Sequence, residues 1–116
     1  MELVGDRRLL RIYLGESDRR DGVPLYEAIV QRARARGLAG ATVLRGVEGF
    51  GARSRIHRAS ILRLSEDLPI VIEIVDTEER IRGLLEELEP WIEDGMVTLE
   101  RVEVMLYRAR RPGGGA

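Results

Sequence analysis

The fold of this chain is decided by one stretch of sequence, Leu68-Pro69-Ile70-Val71-Ile72-Glu73-Ile74-Val75-Asp76. Its β-branched side chains favour a strand that opens at Pro69. Alternate residues of a strand lie on opposite faces, and both faces here are mainly apolar: Ile70, Ile72 and Ile74 on one, Val71, Glu73 and Val75 on the other. Such a strand needs helices on one face and a second cover, such as another subunit, on the other.

A helix is predicted directly after this strand. Asp76 or Thr77 would cap it, acidic residues fill its first turn, and Gly95 would end it. Apolar residues recur at helical spacing: Ile81, Leu84, Leu85, Leu88 and Ile92. A fourth strand would follow from Val97, with a bulge or break near Glu100-Arg101 where the apolar residues change parity.

Three further elements are predicted upstream. Residues Leu9 to Leu14 alternate as a strand, and a helix with Pro24 in its first turn would end at Gly37. Ala41 to Val47 is interpreted as the next strand. A connection of about 20 residues then leads to Pro69, and connections of this length are usually functional.

The predicted order is β-α-β-β-α-β, which favours an α+β, ferredoxin-like split βαβ fold with a four-stranded antiparallel sheet and two helices on one face. We expect residues 1–107 to form a single domain with a long loop at about 48–68, and residues 108–116 to form a disordered tail. The side chains on the second sheet face predict a homo-oligomer: Leu9, Tyr13, Val71 and Val75.

The composition excludes several classes of function. The 116 residues carry 19 basic and 20 acidic side chains, a formal net charge of −1, which gives no reason to expect a nucleic-acid partner. Without cysteine, the chain has no disulfide, thiolate nucleophile or Cys-based metal site, and one His leaves little scope for zinc. Without a long apolar run or a signal sequence, we expect a cytoplasmic protein that does not insert into membranes.

Charge is unevenly distributed along the chain. The segment from Arg45 to Arg63 has five arginines and one acid, a net charge of +4 with His57 neutral. The segment from Thr77 to Asp94 has seven acids and two arginines, a net charge of −5. A basic, glycine-containing loop suits an anion or an acidic partner, although its arginines could equally pair with the acidic helix.

Three glycines lie between Arg45 and Arg53, namely Gly46, Gly49 and Gly51. Glycine permits positive φ angles and the close approach of a phosphate or of another backbone. The segment is not a P-loop, because it has no Gly-Lys-Ser/Thr and leaves a strand for a loop. A phosphate cradle and a simple hinge both remain open.

Three segments together resemble the PII-like family known as domain of unknown function 190. They are Gly37 to Gly51, Ile56-His57 and Leu64 to Asp76, and the resemblance runs from about Arg8 to Tyr107. It implies a ferredoxin-like subunit, usually a trimer, whose loop after the second strand corresponds to the T-loop of PII signalling proteins. In PII proteins that loop responds to ATP or ADP bound between subunits and grips a transporter or enzyme.

The resemblance also implies roles for individual residues. Val47-Glu48-Gly49-Phe50-Gly51 resembles the PII signature that leads into the T-loop. An adenine nucleotide or other small anion between subunits would then contact Arg45, Gly46, Gly49, Gly51, Arg53 and Arg101. A protein partner would contact Phe50, Arg55, His57, Arg58 and Arg63. The expected function is therefore non-enzymatic signalling, with no catalytic residue, no metal and no obligatory cofactor.

Two other ferredoxin-like functions remain as alternatives. Gly46-x-x-Gly49-x-x-x-Arg53 is similar to the phosphate-binding loop of acylphosphatases, which implies an enzyme acting on a phosphorylated substrate. That loop belongs between the first strand and first helix, where this chain has the acidic Gly15-Glu16-Ser17-Asp18. An RNA-binding module would need stacking aromatics, and Tyr13, Phe50 and Tyr107 do not form such a pattern.

Overall fold

The computed structural model describes residues 2–51, 57–58 and 67–110. Four long strands and two helices make up most of this part of the chain, with four short strands between them. In chain order the elements are β1 (Gly5–Gly15), β2 (Arg19–Arg20), β3 (Val23–Pro24), α1 (Leu25–Ala35), β4 (Thr42–Arg45), β5 (Glu48–Gly49), β6 (His57–Arg58), β7 (Pro69–Asp76), α2 (Glu78–Leu88) and β8 (Met96–Val104).

The main sheet has the strand order β4-β7-β1-β8, and every neighbouring pair is antiparallel. This order and the two helices on one face confirm the predicted α+β, ferredoxin-like split βαβ fold. The deciding stretch is a central strand, since β7 pairs with both β1 and β4.

The core lies between the sheet and the helices. On β7, Ile70, Ile72 and Ile74 are almost fully buried, while the alternate residues are only partly covered. The strand β1 shows the same alternation, and its buried residues pack against Ile29 of α1 and Leu84 of α2. The predicted assignment of residues to the two faces of both strands is confirmed.

The predicted bulge or break near Glu100-Arg101 is wrong. Pairing between β1 and β8 runs without interruption from Tyr13–Met96 to Gly5–Val104. The continuous register places Val102 and Val104 on the sheet face opposite the helices, across from Arg7 and Gly5 of β1. Arg8 lies on the helix side, where its guanidinium contacts Glu78 of α2 at 3.0 Å.

Both helices begin and end at positions with a clear chemical cause. Thr77 caps α2, since its hydroxyl accepts a hydrogen bond from the backbone N–H of Arg80. The helix ends at Leu88 rather than near Gly95, because Pro90 cannot donate a backbone hydrogen bond, and a 3₁₀ turn follows. Pro24 lies just before the first turn of α1 and not within it. At the other end, Gly37 has φ = +81° and completes the predicted C-terminal cap.

A small hairpin lies between β1 and α1. The strands β2 and β3 pair across the two-residue turn Asp21-Gly22, whose φ angles are both positive. Asp-Gly is a strong signal for such a turn, and it was present in the sequence. Arg20 of this hairpin lies over the ring of Trp91, with its guanidinium carbon 4.0 Å from the ring centroid.

Candidate functional site

A cleft of about 480 Å³ opens at the end of the sheet where β1 ends and β7 and β8 begin. Segments far apart in the chain form its walls, and they include the start of the predicted long loop. The lining residues are Tyr13, Leu14, Gly15, Asp18, Gly49, Phe50, Gly51, Asp67, Pro69, Asp94, Gly95 and Met96. The cleft therefore joins the base of that loop to the turn that precedes β8.

Pro69 explains two of the predicted glycines. A Cβ atom at Gly46 would lie 2.7 Å from Cγ of Pro69, and one at Gly49 would lie 3.1 Å from it. The backbone N–H of Gly46 also donates a 2.7 Å hydrogen bond to the carbonyl of Pro69. Packing thus favours glycine at both positions, most strongly at Gly46, whether or not a ligand approaches them.

The mouth of the cleft is acidic. The carboxylate of Asp18 accepts a 3.1 Å hydrogen bond from Gly15, and that of Asp67 accepts one of 2.7 Å from Ser17. Asp94 adds a third carboxylate to the lining, which has no arginine among the residues described. The described lining residues therefore supply no cation of their own to an anionic ligand.

Arg45 and Arg101, two of the predicted anion contacts, are not brought together within one subunit. Arg45 lies on β4 and Arg101 on β8, the opposite edges of the sheet. The strand register places Arg45 level with Leu14 of β1 and Arg101 level with Arg8 of the same strand. Six residues of β1 separate these two levels, a distance of about 20 Å along the strand direction. Arg45 pairs with Glu16 at 2.5 Å, and Arg101 is exposed. A ligand touching both would have to lie between two copies of the chain.

The remaining predicted residues belong to the long loop. Phe50 is 71% exposed at the rim of the cleft, and Gly51 lies beside it. The backbones of His57 and Arg58 pair with Gly49 and Glu48, so the loop leaves the sheet as a two-stranded ribbon. The other predicted contacts, Arg53, Arg55 and Arg63, lie outside the described residues, as do residues 111–116 of the predicted tail.

The sheet face opposite the helices, called here the open face, is the second candidate surface. Its residues form rows across the sheet, and one row is apolar on all four strands: Leu44, Val71, Tyr13 and Met96. The next row is polar throughout: Thr42, Glu73, Arg11 and Thr98. Hydrogen bonding to Glu73 raises the pKa of the Arg11 guanidinium above its ordinary value. Tyr13 and Val71 of the apolar row were predicted from the sequence. Leu44, Met96 and the contact of Arg11 with Glu100 were not, because they follow from the strand register.

Two other features of the described residues bear on function. They include no cluster of three or more His, Asp or Glu side chains arranged to hold a metal ion. Neither of the helices seen in this part of the chain is long and apolar enough to cross a bilayer.

Solved structures define the class of this fold. CPII from Thiomonas intermedia K12, a nitrogen regulatory PII-like protein bound to ADP, AMP and bicarbonate, superposes with a TM-score of 0.66 at 22% identity over 85% of this chain and 88% of that one. The GlnK–ATP complex of B. subtilis superposes with a TM-score of 0.56 at 15% identity, over 87% and 85% of the two chains. The chain therefore has a PII-like fold.

Sequence comparison identifies the family. The model of DUF190, described as "Uncharacterized ACR", matches residues 7–104. A UPF0166 protein of Aquifex aeolicus is 41% identical over 102 residues, which cover 88% of this chain and 96% of the relative. A UPF0166 protein of Methanocaldococcus jannaschii is 41% identical over 81 residues, or 70% and 74% of the two chains. This chain belongs to the DUF190 family, as its sequence predicted.

Proposed function

We propose that this protein is a non-enzymatic, PII-like signalling regulator of the cytoplasm. It works as a homotrimer, binds an adenine nucleotide or another small anion between subunits, and engages a protein partner through the segment between β5 and β7. The observation that carries this proposal is the cleft at the base of that segment, because a ligand there would contact Gly49 and Phe50, from which the segment departs.

The class of ligand is suggested by the structural neighbours. CPII was solved with ADP, AMP and bicarbonate, and GlnK with ATP. The described lining of the cleft holds no arginine, so a polyphosphate would need cations from outside these residues. Arg101 of a second copy is one source, because Arg101 is exposed on β8, an edge strand of the sheet. A small ligand such as AMP or bicarbonate demands fewer cations than ATP does.

Assembly of copies is supported by the open face. Leu9, Tyr13, Val71 and Val75 are only partly covered within one subunit. Burying the remaining exposed part of these four side chains contributes at most about 1.5–3 kcal/mol each, which offsets part of the cost of association. Leu44 and Met96, which are 47% and 53% exposed, extend the same apolar surface to both edges.

Partner binding is supported by charge. The segment between Arg45 and Arg63 carries a net charge of +4, and the exposed Phe50 stands at its start. An aromatic anchor beside several arginines is typical of protein interfaces. The matching partner is an acidic surface, such as that of a regulated transporter or enzyme.

A thermal-shift titration tests ligand binding. With AMP, ADP, ATP and bicarbonate tested separately, with and without Mg²⁺, we expect one ligand at 100 times its Kd to stabilise the protein by about 2.7 kcal/mol, a rise in Tm of roughly 10–20 °C. Arg45→Ala and Arg101→Ala should each weaken binding by about 10- to 100-fold, because each removes a charge-assisted contact.

The matched control is Arg34→Ala, since Arg34 is exposed on α1, away from the cleft. It should leave both the shift and the affinity unchanged. If none of the four ligands shifts Tm at millimolar concentration, ligand sensing is wrong. Light scattering on the same samples tests the trimer, and a monomeric mass at 100 µM would contradict it.

A further inference from the structure

An ion network lies near the middle of the open face. Nε of Arg11 donates a 3.0 Å hydrogen bond to Oε2 of Glu73, and Nη1 of Arg11 donates one of 2.7 Å to Oε1 of Glu100. We call these three residues the Arg11 triad. All three side chains are partly open to solvent, with exposures of 33%, 32% and 54%.

The triad lies between apolar residues of the open face. Arg11 and Glu73 form the polar row with Thr42 and Thr98, and an apolar row borders it on the side of Tyr13. On its other side lie Val75 and Leu9, which are directly paired across β7 and β1. Any layer that covers this face must therefore meet charged groups as well as apolar ones.

The triad retains hydrogen-bonding capacity after its own contacts are made. A guanidinium has five N–H donors, and the two bonds to Glu73 and Glu100 engage only Nε and Nη1. Each carboxylate has a second oxygen beyond the one that Arg11 contacts. The triad thus offers outward donors and outward acceptors on the same surface, and its net charge is −1.

We propose that the Arg11 triad sets the register in which copies of this chain pack through their open faces, with Arg11 of one copy donating to Glu100 of the next. This inference rests on the proposed assembly through the open face. A second copy is the occupant that fits, because each copy carries both the donor and the acceptor, so a closed symmetric assembly satisfies every triad. A uniformly acidic or basic partner would leave one half of the triad unmatched.

Polar groups inside an apolar interface have an identifiable energetic signature. Removing one member of a buried charge network leaves the others unpaired, which is strongly destabilising, whereas replacing the whole network with apolar residues is often neutral or stabilising. Replacing the whole network with apolar residues can remove the preference for one packing register, because apolar surfaces pack in more than one register. A variant that lacks one member of the triad therefore tests the affinity between copies. A variant that lacks all three members tests the register in which the copies pack.

The experiment is sedimentation velocity over a dilution series of the full chain, with circular dichroism to check folding. We expect the wild type to form one assembled species. Arg11→Met should raise the dissociation constant by about 100-fold, since it leaves Glu73 and Glu100 facing the neighbouring carboxylates. The triple variant Arg11→Met, Glu73→Leu, Glu100→Leu should assemble at least as tightly as the wild type, but as a mixture of masses.

Two further variants test whether the effect on assembly is specific to the triad. Glu100→Gln changes only the most exposed member of the triad, should fold normally, and should weaken assembly by about 10-fold. Arg82→Met is the matched control, because Arg82 makes a 2.7 Å ion pair with Glu78 on the helix side of the subunit and should not affect assembly.

The possible results are distinguishable. Wild-type assembly that survives both Arg11→Met and Glu100→Gln unchanged would overturn the role of the triad and leave the proposed oligomer standing. A triple variant that forms the same single species as the wild type would overturn its role in register. A monomeric wild type would overturn the proposed oligomer itself, and with it this inference.

Discussion

Replacement of Asp76 by alanine is expected to lower the free energy of unfolding by about 3 kcal/mol. Asp76 is fully buried. Its carboxylate accepts hydrogen bonds from the backbone N–H groups of Ala39, at 2.8 Å, and Thr77, at 2.7 Å. It also lies 3.5 Å from the guanidinium of Arg80. Alanine would leave the backbone N–H groups of Ala39 and Thr77 without their acceptor and would remove the ion pair with Arg80. It would also release the connection between α1 and β4 from the end of β7.

Urea unfolding followed by Trp91 fluorescence measures this loss, at a fixed protein concentration because assembly contributes to stability. Asp76→Asn should not restore stability, since an amide has one acceptor oxygen where two donors need partners. Asp6→Ala is the control: Asp6 pairs with Arg8 at the surface, so its loss should change stability by less than about 0.5 kcal/mol. A loss under 1 kcal/mol for Asp76→Ala would contradict the anchoring role.

The strands that carry a strict alternation were predictable from sequence because burial of one sheet face imposes it. Ile70, Ile72 and Ile74 repeat with period two, and the structure buries all three. The C-terminal cap of α1 at Gly37 was equally local, since a positive φ favours glycine. Such features depend on neighbours within one turn or one strand.

Features that depend on partners distant in sequence were not predictable. The pairing of β8 with β1 places Val102 and Val104 on the open face, while Arg8 of β1 pairs with Glu78 of α2 on the helix side. The sequence of a single strand does not indicate which helix residues will contact it. The change of parity along β8 was therefore interpreted as a bulge or break, although the pairing of the strand is continuous.

The candidate site shows the same limit. The glycines before the long loop were recognised, but both fold formation and ligand binding could explain them. Their contact with Pro69, some twenty residues later, supplies the packing reason for Gly46 and Gly49. Asp94 joins the cleft lining because β8, which it precedes, pairs with β1, and no local sequence motif indicates this pairing.

Gly95→Ala is expected to destabilise the protein by about 2–4 kcal/mol and to alter the cleft. Gly95 forms part of the cleft wall between the end of α2 and β8. A Cβ atom there would lie 2.4 Å from the backbone carbonyl oxygen of Tyr13, a contact that no side-chain rotation relieves. The strand β8 would have to move away from β1 at Met96, where both strands border the cleft.

Gly40→Ala is the matched control, because a Cβ atom at Gly40 would meet no atom within 4 Å. It should be neutral or slightly stabilising, since alanine restricts the unfolded chain more than glycine does. Urea unfolding measures the stability of the two variants. The thermal-shift titration then measures how tightly each variant binds the ligand. If the cleft binds the ligand, Gly95→Ala should lower ligand affinity while Gly40→Ala retains it. Equal affinity in a folded Gly95→Ala protein would mean that the ligand binds elsewhere, since the wall formed by Gly95 and Met96 cannot keep its shape once β8 is displaced from Tyr13.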